Sequence, residues 1–302
     1  MRAGFVGLIG QPNAGKSTLM NFLIDQKVSI VTPRPQTTRR RVHGIWTSES
    51  AQIVFVDAPG VVSSRPGLFE FLAQEANEVI SESDVLIAVL SIDTKTQKEA
   101  EEILEMVKKS RKPWLALITK ADLDDKAHRA VILQDRVQAL GGKSLSVSCL
   151  KKDGFTEEDR KIILGEIEKL LPESPAPLYD SELFTTENMR DLVREIVREK
   201  CFLLLKDEIP YSVAVRVIEF KEDAEPVPRI TLEILVSKDN HKGIVIGQGG
   251  QMLKKIGQEA RKEIEKLMGQ KIFLGLNVAA RESWTENKRL MKELGYFHDK
   301  RS

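Results

Sequence analysis

Cysteine is nearly missing from this 302-residue chain: only Cys149 and Cys201 are present, far apart, with neither CxxC nor histidine-rich spacing around them. That excludes a disulfide framework and a zinc knuckle, and fits a reducing compartment. Aromatics are scarce as well, at 6% of residues. No apolar run approaches the roughly 20 residues that a membrane-spanning helix needs. The chain opens without a basic-then-apolar leader, so the expected location is cytoplasmic. Nor does one sign of charge dominate, because 46 Lys and Arg stand against 45 Asp and Glu. The balance hides local clusters. Arg34, Arg39, Arg40 and Arg41 crowd residues 34–41 without an acid, and residues 238–272 hold eight Lys or Arg against four Asp or Glu.

What remains is the composition of a globular protein, 41% hydrophobic and 30% charged, long enough for two ordinary domains. In the first half, short apolar runs at 4–9, 53–56, 85–90, 114–118 and 144–147 alternate with polar-amphipathic stretches such as 68–82 and 96–110. This βα alternation predicts a mostly parallel sheet with helices on both faces and a ligand at the strand C-terminal ends. Gly10-Gln11-Pro12-Asn13-Ala14-Gly15-Lys16-Ser17 falls between the first strand and a helical pattern that continues from Thr18. That is the context a phosphate-binding loop requires. Backbone N–H groups and the positive end of the helix wrap a polyphosphate. Lys16 then reaches the β- and γ-phosphates, and the Ser17 hydroxyl serves Mg²⁺. The superficially similar Gly142-Lys143-Ser144 fails, because Val137 stands where the first glycine is needed.

Further pieces fall at strand ends. Asp57-Ala58-Pro59-Gly60 follows the strand 53–56, offering a carboxylate for a Mg²⁺-bound water and a Gly60 N–H to sense a γ-phosphate. Thr119-Lys120-Ala121-Asp122 follows 114–118, and an Asp122 carboxylate pairs with guanine N1–H and 2-amino groups, which adenine lacks. Ser148-Cys149-Leu150 follows 144–147 and offers a backbone N–H to guanine O6. Of the pair Thr37 and Thr38, Thr38 is the preferred switch residue, completing the Mg²⁺ shell when GTP is bound. The expected metal set is therefore Ser17, Thr38 and Asp57, and the expected catalytic set is Lys16, Thr38 and Gly60. Val61 occupies the position where Ras-like enzymes carry a water-orienting glutamine, so slow intrinsic GTP hydrolysis is expected. An ATPase or kinase built on the same phosphate loop is the competing enzyme reading, and Asp122 speaks against it.

Leu171-Pro172-Glu173-Ser174-Pro175-Ala176-Pro177 reads as a linker, predicting domains at 1–171 and 181–302 joined by 172–180. Beyond it, a helix fits 187–206, strands fit 211–220 and 229–237, a helix fits 250–268 and a strand fits 271–279. Gly247-Gln248-Gly249-Gly250 lies between a short apolar helix-like stretch and a basic helix, after two strands. This α+β arrangement is that of a type II KH module, whose glycine loop lets backbone approach a sugar-phosphate chain. Lys242, Gly247, Gln248, Gly249, Gly250 and Lys254 are the expected RNA contacts. A protein-binding clamp with a nucleotide-sensing domain is the binding-module alternative. A Der-like ribosome GTPase is disfavoured, because that family carries two G domains and one is found here.

Over nearly its full length the chain resembles the Era family of bacterial GTPases. The phosphate loop, Pro35-Gln36-Thr37-Thr38-Arg39, Asp57–Gly60, Lys120–Asp122 and Ser148–Leu150 carry the likeness. So do Arg198-Glu199-Lys200, Ser212–Val215, Lys242–Gly250 and Leu294-Gly295-Tyr296. The resemblance implies GTP hydrolysis with Mg²⁺, binding of the 3′ end of 16S ribosomal RNA and a monomeric role in assembling the small ribosomal subunit. It also implies peripheral association with the inner membrane. There are departures: Thr119 stands for the usual Asn, Ala58 for Thr, Cys149 for Ala and Gln248 for Lys. Loss of the Asn amide bond to guanine N7 is expected to lower base affinity, and loss of the lysine to weaken the salt-dependent part of RNA binding.

Overall fold

The computed structural model describes residues 1–60, 67–93, 97–121, 127–147 and 156–296. The chain divides into two compact units, Met1–Ser64 with Leu72–Thr186, and Arg65–Phe71 with Glu187–Ser302. Among the described residues no helix is long and apolar enough to cross a membrane.

Strands β1 (Arg2–Gly10), β2 (Val42–Thr47), β3 (Ala51–Asp57), β4 (Val85–Ser91), β5 (Trp114–Thr119) and β6 (Lys143–Ser146) form the sheet of the first unit. Their order is β2-β3-β1-β4-β5-β6, parallel throughout except for β2, which runs antiparallel to β3. Helices α1 (Lys16–Ile24), α2 (Leu68–Glu82), α3 (Gln97–Lys109), α4 (Ala127–Ala139) and α5 (Glu157–Leu170) cover both faces. The alternation within β4 shows why its sequence is apolar at every position. Val85, Ile87 and Val89 pack with Leu19 and Leu23 of α1 and Ile163 and Ile167 of α5. Leu86, Ala88 and Leu90 pack with Val79 of α2, Ile103 and Val107 of α3 and Val137 of α4. A strand buried on both faces loses the polar half of the two-residue period. Parallel register then brings functional strand ends together: Leu8 pairs with Asp57, Gly10 with Val89, and Ser91 with Thr119.

The segment expected to be a linker is bound to the first unit. Gln52 of β3 is fully buried, and its amide oxygen accepts the N–H groups of Leu178 and Tyr179 at 2.7 and 2.9 Å. Its amide nitrogen donates to Tyr179 O at 2.9 Å and to the Thr47 hydroxyl at 3.0 Å. Further on, Ile45 N–H donates to Phe184 O at 2.8 Å, and the Thr185 hydroxyl donates to His43 O at 2.6 Å. The strap bends on itself at Leu183 N–H to Asp180 O, and strands far away in sequence supply its other partners. The first unit therefore runs to Thr186 rather than to residue 171.

In the second unit the elements are α6 (Met189–Leu204), α7 (Ile209–Ser212), β7 (Ala214–Lys221), β8 (Arg229–Val236), α8 (Asp239–Ile246), α9 (Gln251–Met268), β9 (Phe273–Ala280) and α10 (Lys288–Glu293). β7 and β8 are antiparallel, and β8 and β9 parallel. Val193, Val197 and Cys201, four residues apart on α6, meet Ile256, Ala260 and Ile264, likewise spaced on α9, over the apolar side chains of β7 and β8. Burial pushes the Cys201 thiol up to about 12, against a smaller opposing effect from Arg198. The strand expected from 211 begins at Ala214. Residues 209–212 form a helical turn with Pro210 in its first positions, where the fixed proline φ suits a helix start.

Candidate functional site

The phosphate loop leaves β1 at Gly10, where an added Cβ would lie 2.5 Å from Val89 O, so only glycine allows β1 and β4 to approach. Asn13 and Gly15 take positive φ of 63° and 93°, turning the chain into α1. Ala14 N–H donates to Gln11 O at 3.1 Å, and Asn13 Nδ2 donates to Pro33 O at 2.9 Å. Lys16 Nζ folds back on the loop, donating to Gly10 O at 3.1 Å and Gln11 O at 3.0 Å. Burial lowers its ammonium to about 8, with the charge of Asp57 acting the other way. Gly60 rests against Pro12: an added Cβ there would come within 2.6 Å of the Pro12 backbone.

Three expected metal ligands from three segments converge. The Ser17 hydroxyl at the start of α1 donates to Asp57 Oδ2 at 2.5 Å and lies 3.0 Å from Thr38 Oγ1. Thr38 Oγ1 in turn lies 3.4 Å from Asp57 Oδ2. Thr37 is engaged elsewhere, donating to Arg34 O at 2.8 Å and sharing a 2.6 Å hydrogen bond with the Thr32 hydroxyl. Of the two threonines, it is Thr38 that stands beside Ser17 and Asp57. Burial raises the Asp57 carboxyl, while Lys16 and hydrogen bonds from Ser17, Ser29 and Thr38 pull it down. Its Oδ1 is buried with no hydrogen-bond partner among the described residues. A partnerless carboxylate oxygen beside two hydroxyls fits a hard divalent cation that keeps several waters, as Mg²⁺ does. No cluster of three or more His, Cys, Asp or Glu that could hold a metal ion is found among the described residues.

Ser29 belongs to the same cluster without any motif to announce it. Its hydroxyl donates to Asp57 Oδ2 at 2.9 Å, and Asn21 of α1 clamps its backbone through Val28 N–H, Ser29 N–H and Ser29 O. No spacing in the sequence signals either residue; the asparagine works as a bracket for a turn seven residues on.

At the base-recognition side, Thr119 is fully buried, and its hydroxyl donates to Ala14 O at 2.6 Å. The hydroxyl ties β5 to the phosphate loop. Lys120 adopts φ 60°, with Nζ 3.5 Å from Asp93, and Ala121 N–H donates to Val147 O at 3.3 Å. Val61, Asp122, Ser148, Cys149 and Leu150 lie outside the described residues.

In the second unit, Gly247, Gly249 and Gly250 have φ of 73°, 57° and 80°. An added Cβ at Gly249 or Gly250 would meet nothing within 4 Å, so the loop backbone faces open space. Gln248 and Lys254 are exposed or nearly so, and Lys242 is half-buried. Ile244 of α8 is 50% exposed, leaving an apolar side chain one turn before the glycines.

Residues 5–120 match the family model of 50S ribosome-binding GTPases, and residues 208–285 match that of KH domains. Along 294 residues the chain is 40% identical to the GTPase Era of Geotalea daltonii, covering 97% of each. To the GTPase Era of Syntrophus aciditrophicus it is 39% identical over 298 residues, covering 98% of this chain and 95% of the relative. A point variant of Aquifex aeolicus Era bound to GDP and aluminium fluoride superposes with a TM-score of 0.90 at 32% identity, covering 98% and 99% of the two chains. A structure of Era with MgGDPNP and nucleotides 1506–1542 of 16S ribosomal RNA gives the same score, 0.90, at 33% identity and the same coverage. By sequence and by fold, the chain belongs to the Era family of GTPases, which hydrolyse GTP to GDP and phosphate with Mg²⁺.

Proposed function

We propose that this GTPase couples its nucleotide state to a grip on the 3′ end of 16S ribosomal RNA, and so acts as a GTP-dependent switch in assembly of the small ribosomal subunit. The observation that carries the RNA half is the glycine loop 247–250. It offers open backbone at Gly249 and Gly250 directly before the lysine-bearing helix α9. Phosphate-tracking backbone beside an exposed apolar residue, Ile244, suits single-stranded RNA with unstacked bases. The Era structure holding 16S RNA nucleotides supports the same choice.

On the nucleotide side, Lys16 supplies positive charge to the β- and γ-phosphates, and the Gly60 N–H is the group expected to register the γ-phosphate. Ser17, Thr38 and Asp57 hold Mg²⁺, which when bound neutralises charge building up on the phosphate oxygens. The preorganised loop thus contributes by position and field rather than by a side-chain base. The reading takes the protein to be a cytoplasmic monomer; peripheral attachment to the inner membrane rests on family likeness alone.

The test uses the full chain and an oligonucleotide of the 16S RNA 3′ end, titrated at several salt concentrations with GDP or a non-hydrolysable GTP analogue. Expected is salt-dependent binding that is tighter with the analogue. Absent or salt-independent binding overturns the RNA assignment, and equal affinity in both nucleotide states overturns the switch.

A further inference from the structure

Arg41 stands three residues after Thr38 and immediately before β2, and it is gripped by the helix that follows the Asp57–Gly60 turn. Glu75, Glu78 and Glu82 occupy one face of α2 at spacings of three and four. The Arg41 main-chain N–H donates to Glu75 Oε2 at 2.8 Å, and the guanidinium Nε lies 3.5 Å from the same oxygen. Its two terminal nitrogens reach Glu78 at 3.0 Å and Glu82 at 2.6 Å. The three carboxylates differ in burial. Glu82 is 66% exposed, whereas the Glu75 side chain is 4% exposed. Exposed ion pairs contribute little. A buried carboxylate is different: it persists only where donors satisfy it, and here one donor is the backbone of the threonine-bearing segment.

Three residues of extended chain reach about 10 Å at most. Fixing the Arg41 backbone therefore limits how far Thr38 can withdraw from Ser17 and Asp57. We propose that Glu75 is a positioning residue for GTP: it anchors the Arg41 end of the Thr38 segment on α2, and so holds the Thr38 hydroxyl at the metal-binding oxygens. α2 is then the seat on which the first switch segment closes, and the Glu75 carboxylate sets how strongly the protein prefers a nucleoside triphosphate over a diphosphate. This rests on the reading that Thr38 serves the Mg²⁺ of bound GTP.

The experiment measures affinities for fluorescent GDP and a fluorescent non-hydrolysable GTP analogue, with GTP turnover, in the full-length protein. The variants are Glu75→Gln, Glu75→Leu, Thr38→Ala and, as an exposed control, Glu82→Gln. Removing a charge-assisted bond at a buried carboxylate is expected to weaken the analogue about tenfold in Glu75→Leu and about threefold in Glu75→Gln. GDP affinity stays within about twofold, and the exposed control matches the parent protein. In the double variant Thr38→Ala with Glu75→Leu, the analogue weakens no further than in Thr38→Ala alone, because the anchor has nothing left to position. Equal weakening of both nucleotides in Glu75→Gln, or no change in the ratio while Thr38→Ala shifts it, overturns the inference and leaves the Thr38 reading standing. An unchanged ratio in Thr38→Ala overturns the reading itself.

Discussion

Gly10 and Gly249 both stand in short glycine-bearing loops that lead into a helix, yet a Cβ added at the two positions meets opposite surroundings. At Gly10 it would strike a β4 carbonyl at 2.5 Å; at Gly249 it would find open space. The first loop is stitched from several directions, by Lys16 to its own carbonyls, by Thr119 to Ala14 O and by Asn13 to Pro33 O. In the second loop Gly249 and Gly250 owe their place to positive φ alone, whereas Gly247 also packs against Met252. The contrast separates two uses of one residue type. In the phosphate loop glycine permits dense packing around a ligand that side chains help enclose. In the KH loop it permits a backbone shape that side chains leave uncovered, so an extended chain can lie across it.

The sharpest break of this comparison is Lys16→Ala. Removing the cation that the first loop encloses should weaken both GTP and GDP by about 100-fold in calorimetric titration, since charge-assisted bonds to phosphate are lost. Affinity within about threefold of the parent would show that enclosure by side chains is not what the loop provides. Next comes Gly249→Val. A β-branched residue at φ 57° costs about 1–2 kcal/mol of backbone strain. RNA affinity should fall about tenfold, as the loop changes shape, with nucleotide binding untouched. If RNA binding survives, the open backbone is not the contact.

Thr119→Val tests the stitching. It leaves Ala14 O without its buried donor, a loss of about 1–3 kcal/mol. Melting temperature and affinity for both nucleotides should fall together, by severalfold in affinity. An unchanged melting curve would mean that β5 does not brace the loop. The mildest change is Gln248→Lys, which adds one charge at the KH loop. It should steepen the salt dependence of RNA binding by about one unit of slope while nucleotide affinity holds.

Much of this is legible in the chain because the chemistry is local. Gly10 to Ser17 is one contiguous string, and Asp57 announces itself at the end of an apolar run. What the sequence hides is set by distant partners. Thr37 and Thr38 look alike in sequence, and only the Thr32 and Arg34 contacts of one and the Ser17 contact of the other tell them apart. Ser29 reaches Asp57 through a turn that Asn21 holds. The start of β7 differs from the expected one because Pro210 favours a helical turn over 209–212, which delays the strand to Ala214. The prolines at 172–177 advertise a linker, but nothing nearby reveals that a glutamine in β3 receives Leu178 and Tyr179 just beyond them.

That strap bears on how the protein can be cut apart. β2 is an edge strand, and the segment up to Thr185 supplies its outer hydrogen bonds at His43 and Ile45. An isolated GTPase half ending at 171, the boundary its prolines advertise, would bare that edge and strip Gln52 of its backbone partners. Uncapped edges recruit other chains. A fragment ending at 186 carries its own hem, and any dissection of the two halves should begin there.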